Sequence, residues 1–138
     1  MKPVLLDTGV IVALLDRSER HHKSCEAALE ATAGPLVTCE PVIAESCYLL
    51  RSLPGAREAI LQNVVAGIFQ IPFQLSRCAS YIQRVLRKYQ DCEVDFADAC
   101  LIHLATEFHT GDVLTLDHDF EIYRWSGNKP FRLLIPLS

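Results

Sequence analysis

Short apolar runs alternate along this chain with longer segments of helical periodicity, and this alternation restricts the fold more than any other feature. The runs are typical of buried strands or extended pieces, and five occur: VLL at 4–6, PLVTC at 35–39, FQIPF at 69–73, VLTL at 113–116 and RLLIPL at 132–137. Strands separated by helices of about ten or more residues are typical of parallel sheets that carry helices on both faces. We therefore predict an α/β fold, in which a central parallel sheet of four or five short strands lies between helices and the last run is an edge strand.

The segments between these runs have the spacing and the terminal residues of helices. Pro41 suits a first helical turn, Ser76 is a suitable N-cap, and Asp95 opens the strongest helical pattern of the chain. The predicted helices extend to about residue 15 after the first strand, from about 20 to 33, from 41 to about 51, over 55–69, from about 76 to 89, and over DFADACLIHLATEF at 95–108. No repeat, linker or low-complexity tract divides the chain, so we predict a single domain over residues 1–138.

The N-terminal apolar run and the cysteines together indicate a compartment. Asp7 interrupts the run after three residues and Asp16 closes the next one, so neither a signal peptide nor a membrane span fits. The six cysteines are widely spaced and contain no C-x-x-C pair, which favours reduced, buried thiols over a disulfide framework or a zinc site. We expect a cytoplasmic protein that does not associate with membranes.

Four acidic residues are expected to meet at one edge of the sheet. Asp7 ends the first strand, Asp117 ends the VLTL run, Glu45 lies early in the helix after the second strand, and Asp98 lies in the first turn of its own helix. In parallel α/β sheets, sites form where the chain leaves the carboxyl ends of strands and enters helices. The topology therefore brings together residues that are up to 110 positions apart in the sequence.

Two of these acids interrupt the apolar face of a helix. On a helical projection Glu45 lies among Val42, Tyr48 and Leu49, and Asp98 lies among Leu101, Ile102 and Ala105. A buried carboxylate needs a cation, a hydrogen-bond donor or water, and no Lys or Arg occupies a neighbouring position. A bound metal ion is the simplest common partner.

Each acid also has a purely structural interpretation. Asp7 and Asp95 are good N-caps, Asp98 complements the helix macrodipole, and Asp117 could shape the turn before Asp119. These roles explain the residues one by one. They do not explain an acid at position 45 on an apolar face, or four acids at one sheet edge.

An all-oxygen ligand set favours a hard cation, magnesium or manganese, with open positions for water and phosphate. Such a site suits phosphodiester hydrolysis, which then needs no nucleophilic side chain. The net charge of −4 argues against a protein that coats DNA, because phosphate contacts usually require a basic surface. If bound metal neutralises the four acids, the remainder is formally neutral. A neutral remainder attracts RNA weakly over long range, so we expect the protein to act with a partner surface.

Four segments follow one another over nearly the whole chain: LLDTGVIVALLD at the start, VIAESCYLLR in the first third, DFADACLIHLA two thirds along and LTLDHDF near the end. In order and spacing they resemble the acidic motifs of the PIN-domain family, close to its small prokaryotic single-domain members that include the VapC-type toxins. The resemblance implies a PIN-like three-layer fold. It also implies an endoribonuclease that cleaves single-stranded RNA with Mg²⁺ or Mn²⁺, commonly as a homodimer, and in the toxin members an antitoxin that neutralises the activity.

Carried over residue by residue, the resemblance assigns the four acids as catalytic, metal-binding residues in chain order: Asp7, Glu45, Asp98 and the more variable Asp117. Four further positions match auxiliary acids or hydroxyl groups beside the site: Asp95, Asp119, Thr8 and Thr115. Every expected carboxylate is present. Whether the chain is a toxin depends on a neighbouring gene.

Other protein families fit the sequence less well. Asp7, Thr8 and Gly9 also form the signature tripeptide of aspartic proteases, but those proteins are all-β and need a second copy that this chain lacks. Dehalogenase-like enzymes require D-x-D where this chain has Gly9, receiver domains require a late lysine that is absent near VLTL, and there is no Gly-rich phosphate loop. A PIN-like scaffold that binds RNA or protein without catalysis stays open as the alternative function.

The histidines and one basic stripe have simpler interpretations. His21, His22 and Cys25 could form a zinc cluster, but adjacent histidines at a helix start are more often solvated. His103 and His118 are expected to face solvent, with His118 a candidate substrate contact. Spacing also aligns one set of residues on a single helix face, where a solvated face is favoured over an RNA-contacting stripe: Arg77, Tyr81, Arg84 and Lys88.

Overall fold

A five-stranded parallel sheet forms the centre of the molecule in a computed structural model that describes residues 1–136. The strands of the chain are β1 (Val4–Leu6), β2 (Leu36–Val37), β3 (Phe69–Gln70), β4 (Asp112–Leu114), β5 (Arg124–Trp125), β6 (Lys129–Pro130) and β7 (Arg132–Leu133). The central sheet has the order β3-β2-β1-β4-β7, and each neighbouring pair is parallel. The α/β fold predicted from the alternation is confirmed, and β7 is its edge strand.

Within residues 1–136, six α-helices connect the strands. They are α1 (Thr8–Leu15), α2 (His22–Glu30), α3 (Glu40–Leu49), α4 (Ala56–Val65), α5 (Leu75–Lys88) and α6 (Phe96–Phe108). The longest apolar one is α6, which packs against α5 and lies over β1, and its side chains from Ala99 to Ile102 are almost fully buried. No helix within residues 1–136 has the length and apolar character needed to cross a membrane.

Register in the middle of the sheet fixes one edge of the molecule. Leu6 pairs with Leu114, so Asp7 and Thr115 leave β1 and β4 side by side. The Asp7 amide also donates to the Leu114 carbonyl at 3.1 Å, which extends the pairing by one residue. The carboxyl ends of the two central strands are thereby held in a fixed relation.

Several local predictions need correction. Ser76 is not an N-cap, because α5 begins one residue earlier and Gln74 occupies the cap position without a side-chain hydrogen bond. The predicted runs at 35–39 and 69–73 shrink to two-residue strands. The antiparallel β5–β6 hairpin was not predicted at all. In the last run, Leu137 lies outside the described residues. All six cysteines are free thiols, as predicted, but Cys47 and Cys92 are only partly buried.

Candidate metal centre

Three carboxylates from distant parts of the chain meet at the carboxyl edge of the sheet. One oxygen atom from each of Asp7, Asp98 and Asp117 lies within 4.8 Å of the other two. Asp7 is the N-cap of α1, Asp98 lies in the first turn of α6, and Asp117 is the N-cap of a 3-10 turn over His118–Glu121. The capping roles considered from the sequence therefore exist, and they orient the same side chains toward one another.

Hydrogen bonds fix Asp7 from two sides. Its Oδ1 accepts from the backbone amide of Thr8 at 2.8 Å, and its Oδ2 accepts from the hydroxyl of Thr115 at 2.7 Å. Burial nevertheless raises the pKa of Asp7 to about 6, although both hydrogen bonds act in the opposite direction. Desolvation of the charged form thus outweighs two good donors at this position.

The pKa of Asp98 is raised further than that of Asp7. Burial raises its pKa to about 8, and the neighbouring charges of Asp95, Asp7 and Asp117 act in the same direction. The Asp98 amide donates to Asp95 Oδ1 at 2.8 Å, and the Asp95 amide lies 3.5 Å from Asp98 Oδ2, which makes a capping box. At neutral pH and without a cation, the Asp98 carboxyl therefore tends to hold a proton.

Asp117 completes the trio. Its Oδ1 accepts from the Asp119 amide at 2.9 Å, and its own amide donates to the Thr115 hydroxyl at 3.0 Å. Thr115 thus links Asp117 to Asp7, as its hydroxyl accepts from one and donates to the other. Burial also raises the pKa of Asp117.

The composition of the surrounding cleft fits a hard divalent cation. The cleft has a volume of about 290 Å³, and no Lys, Arg or His lines it within the described part of the chain. The Thr8 hydroxyl on its wall is buried and has no hydrogen-bond partner among residues 1–136. Clustered carboxylates with raised pKa values and an unsatisfied hydroxyl, all oxygen donors, are what such an ion would satisfy.

The remaining predicted residues lie at different depths. Glu45 and Asp95 line the cleft, but the Glu45 carboxylate is exposed and lies outside the close trio. The apolar face expected around Glu45 is only partly packed, because Val42 is buried whereas Tyr48 and Leu49 are 62% and 53% exposed. Asp119 is half-buried and donates its amide to Asp117 without lining the cleft.

Sequence reasoning missed Tyr123. Its ring is fully buried, and its hydroxyl donates to Asp98 Oδ2 at 3.2 Å. The contact spans 25 residues and depends on how the chain packs before β5, so no sequence spacing points to it.

Two histidines are less exposed to solvent than the sequence predicted. The side chain of His103 is only 16% exposed, since it packs against the rings of Phe73 and Tyr81 and contacts Glu107 at 3.1 Å. His22 is also largely covered, with Nδ1 2.6 Å from the carbonyl oxygen of Ala13. His118 is exposed, as predicted.

Comparison with known proteins agrees with this geometry. The family model described as PIN domain matches residues 4–125. Ribonuclease VapC26 of Mycobacterium tuberculosis is 29% identical over 134 residues, which cover 95% of this chain and 99% of that protein. The crystal structure of VapC20 from the same organism, described as a sarcin-ricin loop cleaving toxin, is similar with a TM-score of 0.78 at 16% identity, over 86% of this chain and 93% of that one, and so shares the fold. Because the family match extends over most of its length, this chain belongs to the PIN-domain family.

Proposed function

We propose that this protein is a divalent-metal-dependent endoribonuclease that hydrolyses phosphodiester bonds of single-stranded RNA. The observation that carries the proposal is the trio of carboxylates within 4.8 Å of one another, in a cleft lined by no cationic side chain of the described chain. Like charges brought this close and partly desolvated destabilise the fold. Such an arrangement has a physical reason if a cation occupies the cleft during function.

The resident ion is proposed to be Mg²⁺ or Mn²⁺, held by Asp7, Asp98 and Asp117, with Glu45 on the rim as the fourth acid. When bound, such an ion polarises the phosphate, activates water and offsets the charge that develops on the leaving oxygen. The chain's own residues supply orientation. Thr115 fixes the carboxylate of Asp7, and the buried Tyr123 hydroxyl fixes that of Asp98. The Asp98 carboxyl gives up its proton before it binds the ion.

The proposed substrate is supported by similarity. The relative that matches almost end to end is named a ribonuclease, and the solved structure that shares the fold is described as a toxin that cleaves the sarcin-ricin loop. We propose by extension that this chain is the toxin of a toxin-antitoxin pair. Its partners would then be an antitoxin protein and a second copy of the chain.

Exposed apolar side chains support a protein partner. Four of them lie on α3 and α4, with exposed fractions from 52% to 79%: Tyr48, Leu49, Leu61 and Val65. Single exposed apolar residues are normal, but several on two consecutive helices are typical of a surface that another protein covers.

Cleavage of a panel of single-stranded RNAs with Mg²⁺, with Mn²⁺ and with EDTA tests the reaction, the substrate and the ion together. We expect cleavage only with a divalent ion. An Asp98→Asn preparation, purified in the same way, controls for contaminating ribonuclease. Cleavage by the wild type that exceeds the level of the variant and survives EDTA would refute the mechanism. RNA binding without cleavage under every metal condition would favour the non-catalytic PIN scaffold.

A further inference from the structure

A small cavity between α5, α6 and the β5–β6 hairpin carries cations without a matching acid. The cavity has a volume of about 190 Å³, and its wall includes Arg84, Lys88 and Arg124 together with the rings of Tyr81 and Tyr89. No carboxylate from residues 1–136 lines it. Within the same residues, none of the three cations forms a salt bridge. The wall therefore holds three positive charges that the described chain leaves uncompensated.

Backbone carbonyls position two of these cations and leave donors free. Arg124 Nη1 donates to the carbonyls of Glu121, Ile122 and Tyr123 at 3.0, 3.1 and 2.9 Å. Lys88 Nζ donates to the carbonyl of Gly127 at 3.0 Å. These contacts hold the side chains in place without neutralising them. The remaining guanidinium and ammonium N–H groups are suited to a phosphate, which accepts several charged donors at once.

The two tyrosine rings lie beside the charged groups of Lys88 and Arg84. Lys88 Nζ lies 5.2 Å from the centroid of the Tyr89 ring, and the guanidinium carbon of Arg84 lies 5.6 Å from that of Tyr81. Cation–π contacts at this distance keep the charges near the wall. Cations interleaved with aromatic rings are typical of sites that bind single-stranded nucleic acid.

One buried residue connects this cavity to the acid cleft. The Tyr123 hydroxyl donates to Asp98, and the Tyr123 ring packs edge-on against Tyr89 with centroids 5.1 Å apart. The next residue, Arg124, lines the cavity, and its amide donates to the Tyr89 hydroxyl at 2.9 Å. The acid cleft and the cavity are thus linked through one buried tyrosine, and the cleft itself has no cationic side chain from residues 1–136 that could hold a strand.

We propose that the cationic cavity formed by Arg84, Lys88 and Arg124 is a subsite that binds a backbone phosphate of single-stranded RNA, away from the bond being cleaved. This inference rests on the proposed ribonuclease function. It accounts for how an acidic protein retains a polyanion, since the three cations attract the strand next to a cleft whose carboxylates repel it.

The test compares Arg84→Gln, Lys88→Gln and their double variant with Arg87→Gln. Arg87 is an exposed residue of the same last helical turns that does not line the cavity, so its substitution reproduces the change in net charge and in helix-end charge. Cleavage is measured with Mn²⁺ on a long single-stranded RNA and on a short one that contains little beyond the scissile phosphate. Both substrates are followed at two salt concentrations.

With the long RNA we expect KM to rise about fivefold for each single variant and further for the double variant, with kcat nearly unchanged. The slope of log KM against log salt should fall by about 0.7 per lost contact. With the short RNA, the variants and the wild type should have equal KM. Fluorescence binding of adenosine monophosphate and of inorganic phosphate tests whether the cavity holds a free anion instead.

Three results would overturn the subsite. The cavity variants could have the same KM for long RNA as Arg87→Gln. They could raise KM for the short and the long RNA by the same factor. They could also lose binding of the free anion while KM for RNA stays constant. A wild-type protein that cleaves no RNA would refute the proposed function itself, which is a separate failure.

Discussion

The two ends of β4 hold buried aspartates in opposite electrostatic environments. At the amino end, Asp112 accepts from Arg132 Nε at 2.9 Å and from Arg132 Nη2 at 2.8 Å, with Lys2 Nζ 3.8 Å away. Just beyond the carboxyl end, Asp117 meets Asp7 and Asp98, and no cation lines their cleft within the described residues. Asp112, Asp7 and Asp98 are exposed to nearly the same small extent, 8%, 8% and 7%.

These two environments shift the carboxyl pKa values in opposite directions. The Arg132 guanidinium lowers the pKa of Asp112, whereas burial raises the pKa of Asp7 to about 6 and that of Asp98 to about 8. Burial alone therefore does not decide whether a carboxylate stabilises the fold, since the charged groups beside it determine the sign of its contribution. The Asp112 pair holds the edge strand β7 against the sheet, whereas the carboxyls of the cleft need a proton or an added cation to compensate their charge.

The sharpest test of this contrast is Asp98→Asn. The substitution replaces a carboxyl that is costly to ionise in this cleft with a neutral amide that can still accept hydrogen bonds at the start of α6. We expect RNA cleavage to fall by at least about 100-fold, because a metal ligand is lost. Without metal, the free energy of unfolding should stay the same or rise by on the order of 1 kcal/mol, because the amide has no charged form and avoids the burial and like-charge repulsion that raise the pKa of Asp98.

Thermal melts with and without Mn²⁺, run beside the cleavage assay, measure both effects on one preparation. Asp98 would be only a helix-terminal stabiliser if the variant were less stable without metal and still cut RNA. That outcome would remove it from the proposed site and weaken the case for the cluster.

The pH dependence of stability should also differ between the two ends. Asp7 and Asp98 have folded-state pKa values above their ordinary value, so the stability they contribute is present at low pH and is lost as the pH rises through about 6 and about 8. We expect the metal-free protein to lose up to about 4 kcal/mol of unfolding free energy between about pH 5.5 and about pH 8.5, most of it from Asp98. Mn²⁺ should remove this loss, since it binds the ionised form and binds more tightly as the pH rises.

Chemical unfolding at a series of pH values, in EDTA and in Mn²⁺, measures this dependence. Asp98→Asn is the matched control and should flatten the upper part of the curve. Stability of the metal-free wild type that is constant or increases over this range would contradict the assignment of uncompensated carboxylates.

The framework of the fold and of the cleft could be predicted because it follows from chain order. Asp7 and Asp117 each come directly after an apolar run, and parallel strands place their carboxyl ends at one edge. Asp98 was located by its helix start, which Asp95 marks as an N-cap. These inferences need only secondary-structure periodicity and topology, both of which are encoded locally.

The other features depend on packing that no local pattern encodes. Helical phase placed Glu45 on the same face as Tyr48 and Leu49, but whether that face is covered depends on the rest of the molecule, and those two side chains are exposed. His103 is covered by Phe73 from the loop before α5. The β5–β6 hairpin has two-residue strands, too short for an alternating pattern, and so the contact of Tyr123 with Asp98 could not be anticipated.

Tyr123→Phe should have a smaller effect than removal of an acid. The ring keeps its packing against Tyr89 and Phe120, so the fold should be preserved. The lost hydroxyl no longer fixes the Asp98 carboxylate, and we expect kcat to fall about tenfold, in the range typical of residues that orient metal ligands. Steady-state kinetics at several Mn²⁺ concentrations should also show that the variant needs a higher Mn²⁺ concentration to reach its maximal rate. An unchanged kcat and an unchanged Mn²⁺ dependence would limit Tyr123 to a packing role.

Asp112→Asn should have the smallest effect on cleavage, and it should lower the free energy of unfolding, in contrast to Asp98→Asn. The change breaks a bidentate pair, but Arg132 is 73% exposed at its side chain, so water solvates the released guanidinium and screens the interaction. We expect a loss of about 1 kcal/mol of unfolding free energy and cleavage within about twofold of wild type. The difference from wild type should shrink at high salt and at acid pH, because the folded-state pKa of Asp112 is lowered and its contribution disappears as the pH falls through that value. Paired urea titrations of wild type, Asp112→Asn and Asp98→Asn at neutral and acid pH measure this directly. A shift of unfolding free energy in the same direction for both substitutions without metal would contradict the view that neighbouring charges distinguish the aspartates at the two ends of β4.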